Sequence, residues 1–341
     1  MSTFKSELNE IEGVYRFQIE VPYDVNFVCV YLFKLGNKNI LFDAGLDFKK
    51  WSKAFFSLLE EASISMREID YCIISHHHLD HIGLLKEFKQ KNPQIQILMH
   101  EVTNNILQQE NDFKNFKELK AEAQPVVERM VKFGLSEVLG KKILRWYSMW
   151  PKLTKYYAPD KIFHDGDEIY FGKSKIKIIW TPGHSLGHIC VFDQDHKHLF
   201  AGDHILSRIT PHIGSFPVNP LPEEKFNFEN ILDHYLKSLD KIDKLNPKII
   251  FPAHQDVIYN PHERILEIKE HHQNRLNEIS RIIKDNPLTP FQISQIHFGN
   301  DLDPINAFLA LNETVSHLIY LENQGKVKRI DKNTYYDFYS F

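Results

Sequence analysis

The sequence predicts an α/β (α+β) fold. Three observations carry this: a strand–helix–strand succession between Ile69 and His100, β-rich runs before residue 45 and after residue 160, and helix-periodic stretches between and beyond them. A chain of 341 residues can hold one large domain and a smaller one. Its 25 Phe and 14 Tyr supply apolar surface for a sizeable core.

In chain order, VYRFQIEV, NFVCVYLFKL and NILFDAG read as successive short strands, with a turn at Gly36-Asn37-Lys38. Trp51, Ala54, Phe55, Leu58, Leu59 and Ala62 then recur at helical spacing, predicting an amphipathic helix over 51–65. Ile69 to Ile74 is a short buried strand that ends in Ser75-His76-His77-His78-Leu79-Asp80-His81. Ile82, Leu84, Leu85 and Phe88 suggest a helix, closed by Pro93 before the strand QIQILMH. Residues 101–160 read as a helical insertion ending in Trp146, Tyr147, Met149, Trp150, Tyr156 and Tyr157. These aromatics either pack the insertion onto the domain or form an apolar lid over a pocket.

Strands resume at KIFHDGDEIYF, SKIKIIWTPGH, HICVFDQ, HLFAGDH and PKIIFPAHQ, with Asp165-Gly166-Asp167 and Asp193-Gln194-Asp195 as hairpin turns. From Pro261 the character changes. One helix runs to Ile283, Thr289-Pro290 opens a second, Pro304 opens a third that Gly325 ends, and the last residues read as a hairpin. Three helices and a hairpin is the order of a winged-helix module. The domains are therefore expected at 1–260 and 261–341.

A net charge of −4 gives no global attraction to nucleic acid or an acidic membrane. No apolar run approaches the ~20 residues that span a bilayer, and the first residues lack the apolar segment of a secretory signal. Cys29, Cys72 and Cys190 lie far apart and read as buried thiols. A cytoplasmic protein without a membrane partner is expected.

The compositional oddity is 19 His. The strongest local pattern is His76-x-His78-x-Asp80-His81. Two imidazoles one residue apart share a face of extended backbone, and the turn that follows brings a carboxylate and a third imidazole to the same volume. Imidazole and carboxylate without thiolate suit Zn, Fe, Mn or Co in a catalytic site. An internal strand end with Asp in its midst opposes the bland reading of a tag-like His run. His184 in Thr181-Pro182-Gly183-His184, Asp203 in Ala201-Gly202-Asp203 and His254 in Phe251-Pro252-Ala253-His254 each follow an apolar run and a small residue or Pro. Each thus stands where a strand gives way to a loop.

With these residues in this order, the chain resembles the metallo-β-lactamase superfamily, specifically its glyoxalase II-, lactonase- and ribonuclease-like members. The resemblance covers roughly residues 14–260 and implies a four-layer αβ/βα sandwich with the site on one edge. It implies that His76, His78 and His184 hold one divalent ion, that Asp80, His81 and His254 hold a second, and that Asp203 bridges them. Zn is the first expectation, Fe or Mn the next. The segment from about 262 is similar to the winged-helix extension of one branch of the superfamily.

His77 should point away from the ions on strand alternation. His188, four residues after His184 and at a candidate helix start, is read as an outer packing residue ahead of a catalytic one. His204 is either a substrate contact or a structural hydrogen bonder. Asp43 resembles the family's buried carboxylate that orients ligand imidazoles, against a simple turn role. His271 and His272, in a charged helical run, are expected in solvent. Ser185 is a poor nucleophile candidate because no triad is evident.

The expected activity is hydrolysis by a hydroxide held between two cations about 3.5–4 Å apart, with Asp80 or Asp203 accepting the proton of the attacking water. An ester, thioester or lactone is favoured as a small-molecule substrate, because the insertion could wall an apolar pocket. A ribonuclease or phosphodiesterase is the alternative, and a DNA-binding regulator the third reading. Residues 281–341 hold six Lys or Arg against seven Asp or Glu, with only Lys326, Lys328, Arg329 and Lys332 as a small basic hairpin. Nucleic acid is therefore the less favoured partner, and the module reads as a structural wall or a homodimer contact.

Overall fold

The computed structural model describes residues 6–21, 25–47, 49–112, 116–147, 156–214, 228–331 and 337–340. One sheet has seven strands in sequence order: β1 (Glu7–Ile11), β2 (Val14–Glu20), β3 (Phe27–Leu35), β4 (Lys38–Phe42), β5 (Tyr71–Ile73), β6 (Gln96–His100) and β7 (Lys161–Phe163). The second has five: β8 (Glu168–Phe171), β9 (Ser174–Trp180), β10 (Ile189–Asp193), β11 (His198–Gly202) and β12 (Ile249–Pro252), ordered β12-β11-β10-β9-β8.

The sheets face each other across a layer built from Tyr31, Phe33, Phe42, Ile178, Val191, Phe200 and Phe251. Phe200 stacks on Phe33 with ring centres 4.1 Å apart. The opposite face of the first sheet is covered by α1 (Lys49–Glu61) and α3 (Leu85–Lys91), through Phe55 and Phe88; the short α2 (Leu79–Ile82) lies between them in the chain. The second sheet is covered by α7 (Ile231–Leu245) and by helices nearer the C-terminus. With both faces of β3 covered, its unbroken apolar run FVCVYLF has a physical reason. The four-layer mixed α/β architecture follows.

Several local expectations are corrected. Helix α1 stops at Glu61, short of the expected residue 65. Ser63 turns left-handed at φ +58°, and Ser65 with Glu68 forms a capping box that starts a separate turn. The strand β1 was not foreseen; it is a polar edge strand that shows no alternation. KIFHDGDEIYF is no hairpin: β7 pairs parallel with β6, whereas β8 pairs with β9 in the other sheet. The Asp165–Asp167 turn is a crossing between sheets, held by Trp180 N donating to Asp165 Oδ1 at 2.9 Å and His164 N donating to Asp167 Oδ2 at 2.9 Å. The turn at 193–195 does join a hairpin, β10 with β11.

The insertion between β6 and β7 contains α4 (Glu101–Asp112), α5 (Phe116–Lys132) and α6 (Glu137–Tyr147). Of its aromatics, Tyr156 and Tyr157 pack on the first-sheet core, and Tyr156 donates to Asn104 Oδ1 at 2.9 Å. That is the packing alternative for these two; Met149, Trp150 and the side chains of Trp146 and Tyr147 lie outside the described residues.

Beyond Pro261 come α8 (Pro261–Ile282), α9 (Pro290–Phe298), α10 (Pro304–Asn323) and the antiparallel pair β13 (Lys328–Asp331) and β14 (Asp337–Ser340). Thr289 caps α9 in a capping box with Gln292, and Asp303 caps α10. This module shares a core with the second sheet: Ile293, Leu318, Leu321 and Tyr339 sit in one cluster with Leu199, Tyr235 and Ile250. Helices α5 and α6 of the insertion pack on α10 through Met130, Phe133, Ile143, Leu311 and Val315. Among the described residues no helix is long and apolar enough to cross a membrane. Cys29, Cys72 and Cys190 are free and buried.

Candidate metal centre

The seven expected residues leave different chain segments and meet at one edge of the sandwich. His76, His78, Asp80 and His81 follow β5, with His78 just before α2. His184 follows β9, Asp203 follows β11 and His254 follows β12. His76, His78, His184 and Asp203 form one cluster of donor atoms, and Asp80, His81 and His254 form another.

His78 Nδ1 lies 2.9 Å from His76 Nε2 and 3.0 Å from His184 Nε2. Asp203 faces both clusters. Its Oδ2 is 3.3 Å from His184 Nε2, and its Oδ1 is 3.4 Å from His254 Nε2 and 3.6 Å from His81 Nε2. Asp80 closes the second cluster at 3.5 Å from His254 and 3.7 Å from His81. Ligands about 2.0–2.1 Å from a common ion at tetrahedral angles sit roughly 3.3 Å apart, so these spacings suit a cation in each cluster. His81 Nε2 and Asp203 Oδ1 are buried without a hydrogen-bond partner, which costs stability unless something fills the space between them. Nitrogen and oxygen donors without sulfur suit a divalent ion of borderline or hard character.

The rings of these residues are held from behind. Asp43, fully buried and at φ +67°, accepts from Ser75 N at 2.7 Å, from Ser75 Oγ at 2.9 Å and from His81 Nδ1 at 2.8 Å. Since the Ser75 hydroxyl donates to Asp43, its oxygen accepts from His76 Nδ1 at 2.9 Å. Asp43 thus orients His81 directly and His76 through Ser75, each with Nε2 turned inward. This is the orienting role expected for Asp43. His254 Nδ1 donates to Phe27 O at 2.6 Å, and His184 Nδ1 donates to His212 O at 3.1 Å.

His188 does not face either cluster. Its Nε2 accepts from Asp203 N at 3.1 Å while its Nδ1 donates to Thr181 Oγ1 at 2.8 Å, so it fixes the backbone that carries Asp203. It precedes β10 from a turn, not from a helix. A Cβ on Gly202 would come within 2.7 Å of His188 Nε2 and 2.9 Å of Ser75 Cβ, at φ +50°, so only glycine fits before Asp203. His204 is buried, donates from Nε2 to Ser238 Oγ at 3.0 Å and accepts from Tyr235 OH at 3.0 Å through its carbonyl; the structural alternative describes it. His77 Nδ1 bonds Ser185 Oγ at 3.0 Å, away from the clusters.

The electrostatics divide the site. Burial, reinforced by neighbouring imidazoles, drives His76 and His78 well below the usual imidazole range. The downward shift favours the neutral imidazole, the form that can bind a metal. Burial also opposes charge on His81, but Asp80, Asp203 and Asp43 override it and raise that imidazole well above its ordinary value. Against its own burial, His254 is likewise raised by Asp203 and Asp80. Asp203 is itself pulled well below the carboxylate range, against its burial, by His254 and His81.

A second buried cluster sits on the C-terminal helices: His272, Glu313 and His317. It corrects the expectation that His272 is solvated; His272 and His317 are both fully buried, whereas His271 is exposed. The charged pattern of α8 hid this, because the helix is covered by α7, α9 and α10. His272 Nδ1 and His317 Nε2 are 3.1 Å apart, His317 Nδ1 donates to Glu313 O at 2.7 Å, and Arg275 pairs with the Glu313 carboxylate.

The residues that sequence reasoning missed act mostly through backbone. Gln255 Oε1 accepts from Arg208 N at 2.8 Å, and the buried Arg16 donates to Gln255 O, tying the His254 turn to the loop after Asp203. Ser75, adjoining the His pattern, was the one with a legible position.

The sequence profile described as Metallo-beta-lactamase superfamily matches residues 23–254, and that described as Metallo-beta-lactamase-like, C-terminal domain matches 276–340. The chain is 27% identical over 317 residues to the Bacillus subtilis (strain 168) protein named Probable metallo-hydrolase YqjP, covering 93% of this chain and 94% of that one. It is 23% identical over 219 residues to the human protein named Acyl-coenzyme A thioesterase MBLAC2, covering 60% and 71%. A crystal structure of a metallo-beta-lactamase family protein from Thermus thermophilus superposes with a TM-score of 0.75 at 23% identity, covering 97% of this chain and 99% of that one. A beta-lactamase domain protein from Burkholderia ambifaria gives 0.80 at 20%, covering 98% and 94%. At these identities the two structures speak for the fold alone. The fold, the converging His and Asp side chains and the profile over two thirds of its length agree: this chain belongs to the metallo-β-lactamase superfamily and is a metallo-hydrolase.

Proposed function

We propose that this hydrolase cleaves an acyl ester bond in a small molecule, a thioester before an oxygen ester or lactone, with two divalent cations, zinc first. The observation that carries the two-ion reading is the split carboxylate of Asp203, with Oδ2 turned to His184 and Oδ1 to His254 and His81. When bound, such cations supply Lewis acidity toward a carbonyl oxygen and acidify a water to near neutral pH.

The chain's own residues do the rest. The side chains of Asp80, Asp203 and His184 keep 13%, 10% and 15% exposure while His81 has none, so the site opens over the two carboxylates. Asp80 and Asp203 are placed there to accept the proton of the attacking water. Asp43, Ser75, Phe27 O and His212 O keep the imidazoles in the tautomer that presents a lone pair inward. The acyl-coenzyme A thioesterase name of the human relative supports the thioester preference. Arg329 of the small basic hairpin is paired with Glu322 at 3.0 Å and lies over Tyr339, which disfavours nucleic acid; Lys332 lies outside the described residues.

The test is purification with zinc, metal analysis, and a panel of an acyl-coenzyme A, an aliphatic lactone and bis(p-nitrophenyl) phosphate. Two ions per chain and preferential thioester turnover are expected. Turnover of the phosphodiester alone would overturn the substrate class. One ion or none would overturn the dinuclear reading.

A further inference from the structure

The outer partner of His184 is itself held by the C-terminal module. His184 Nδ1 donates to the carbonyl of His212 at 3.1 Å. The His212 ring reaches the other way, and its Nε2 donates to Leu309 O in α10 at 3.0 Å. The loop carrying His212 lies against the same helix one turn further on, where a Cβ on Gly214 would stand 3.2 Å from Asn312 backbone atoms. Between them Ile213 is fully buried in the core that joins the second sheet to Ile293, Leu318 and Leu321. By contrast, His76, His81 and His254 take their outer partners from Ser75, Asp43 and Phe27, all in or beside the first sheet.

We propose that the C-terminal module is a working part of the metal centre: α10 anchors His212, and His212 holds His184 with its Nε2 aimed at the cluster of His76, His78 and Asp203. His212 is thus a positioning residue. The physical reason is the two-nitrogen chemistry of imidazole. A proton fixed on Nδ1 leaves the lone pair on Nε2, and the direction of the Nδ1–H bond sets the plane of the ring. Without Leu309 O as an anchor, the 211–214 loop keeps its apolar contact through Ile213 but loses the register that places the 212 carbonyl.

This inference rests on reading the His76–His78–His184 cluster as metal-holding, and the experiment separates the two. Full-length wild type, His212→Ala, His212→Gln and, as a control for general loosening of the module, Ile293→Val are stripped of metal. Zinc alone is then titrated against a fluorescent chelator, and the melting temperature of each metal-free protein is recorded. Outer partners of metal ligands are typically worth 10–100-fold in affinity, so His212→Ala is expected to bind one of its two zinc ions about 10–100-fold more weakly. His212→Gln, whose amide nitrogen reaches nearly as far as Nε2, restores most of that loss. Ile293→Val lowers the melting temperature with little change in zinc affinity. Should His212→Ala not fold, His212→Asn, whose amide ends short of Leu309, takes its place against Gln. Wild-type zinc affinity in the Ala or Asn variant, or an equal loss in Ile293→Val, would overturn the proposal. Failure of the wild type to bind zinc would instead overturn the metal reading on which it stands.

Discussion

Among the described residues, buried histidine clusters stand at the edge of the sandwich and on the C-terminal helices, and their compositions are alike. The difference lies in what faces the carboxylates. At the sandwich edge Asp80 and Asp203 are met by imidazoles, those of His81, His184 and His254; buried atoms without a hydrogen bond occur at both clusters, His81 Nε2 and Asp203 Oδ1 here and His272 Nε2 there. On the helices Glu313 is closed by Arg275, whose Nε also donates to His297 Nε2 at 3.2 Å. A guanidinium already supplies the positive charge there, and a divalent cation would be repelled by it. Residue type thus does not tell a metal centre from a structural knot; the placement of the counter-charge does.

The sharpest way to break this contrast is Asp203→Asn. It removes the carboxylate shared by the two donor groups of the sandwich edge while keeping shape, so the loss should exceed that of any outer partner. A fall in turnover on the order of 10³-fold or more is expected, against the 10–100-fold typical of outer-shell changes. Metal analysis of the same sample should show fewer than two ions per chain. A variant that keeps both ions and most of its activity would mean that Asp203 does not join the clusters.

Asp43→Asn should give the intermediate effect. It keeps an acceptor for Ser75 but weakens the charge-assisted bond to His81. Zinc affinity is expected to fall about 10–100-fold, and the residue that loses grip is His81, in the other cluster from the His184 that His212 supports. Because Asp43 also reaches His76 through Ser75, chelator competition on Asp43→Asn should weaken the ion of Asp80, His81 and His254 most and the other less, whereas His212→Ala should weaken only the ion of His76, His78 and His184.

These two substitutions also mark how far the residues themselves were legible. His76, His78, Asp80, His81, His184, Asp203 and His254 stood out because a ligand must be a particular side chain, and each follows an apolar run that ends at the same edge. Asp43 was legible for the same reason. His212 was not, since its contribution to His184 is a carbonyl that every residue carries, and its ring matters only because α10 returns from nearly a hundred residues later in the chain. The layered α/β class followed from local runs, whereas the separation of β7 from β8 was hidden. Asp165-Gly166-Asp167 has the chemistry of a hairpin turn, and only the pairing partners of each strand reveal that it passes between sheets.

The pH response offers a smaller test, in which the C-terminal cluster has the opposite sign to the His81 and His254 half of the sandwich-edge site. Burial first, then Arg275, pushes the His272 imidazole down to about 3, and burial with His272 holds His317 well below its usual range. Unfolded, both take up protons near pH 6.5. The unfolded chain thus binds more protons below that pH, and stability falls as pH drops from about 6.5 toward 3. Each contributes up to about 1.4 kcal/mol per pH unit. His81 and His254, raised by their carboxylates against burial, act the other way in metal-free protein: their contribution is complete below about pH 6.5 and lost as pH climbs through their folded values. Urea unfolding of EDTA-treated protein at about pH 6.5 and about pH 5 should show a shallower acid slope for His272→Phe than for wild type. Equal slopes would mean that His272 titrates freely and the cluster is not closed.

The smallest effect is expected at His77, which stands between two ligands and shares their chemistry. Its Nδ1 is spent on Ser185 Oγ at 3.0 Å, and burial pushes its imidazole down to about 4. Replacing it with Leu keeps the apolar bulk and removes one hydrogen bond, leaving the buried Ser185 hydroxyl unpaired, at a cost of about 1–3 kcal/mol. Zinc stoichiometry should stay at two, with affinity within about threefold of wild type. The alternation of an extended backbone predicts this insensitivity, so a His77→Leu variant that loses an ion would show that the strand end at 75–78 is turned differently from the way the clusters require.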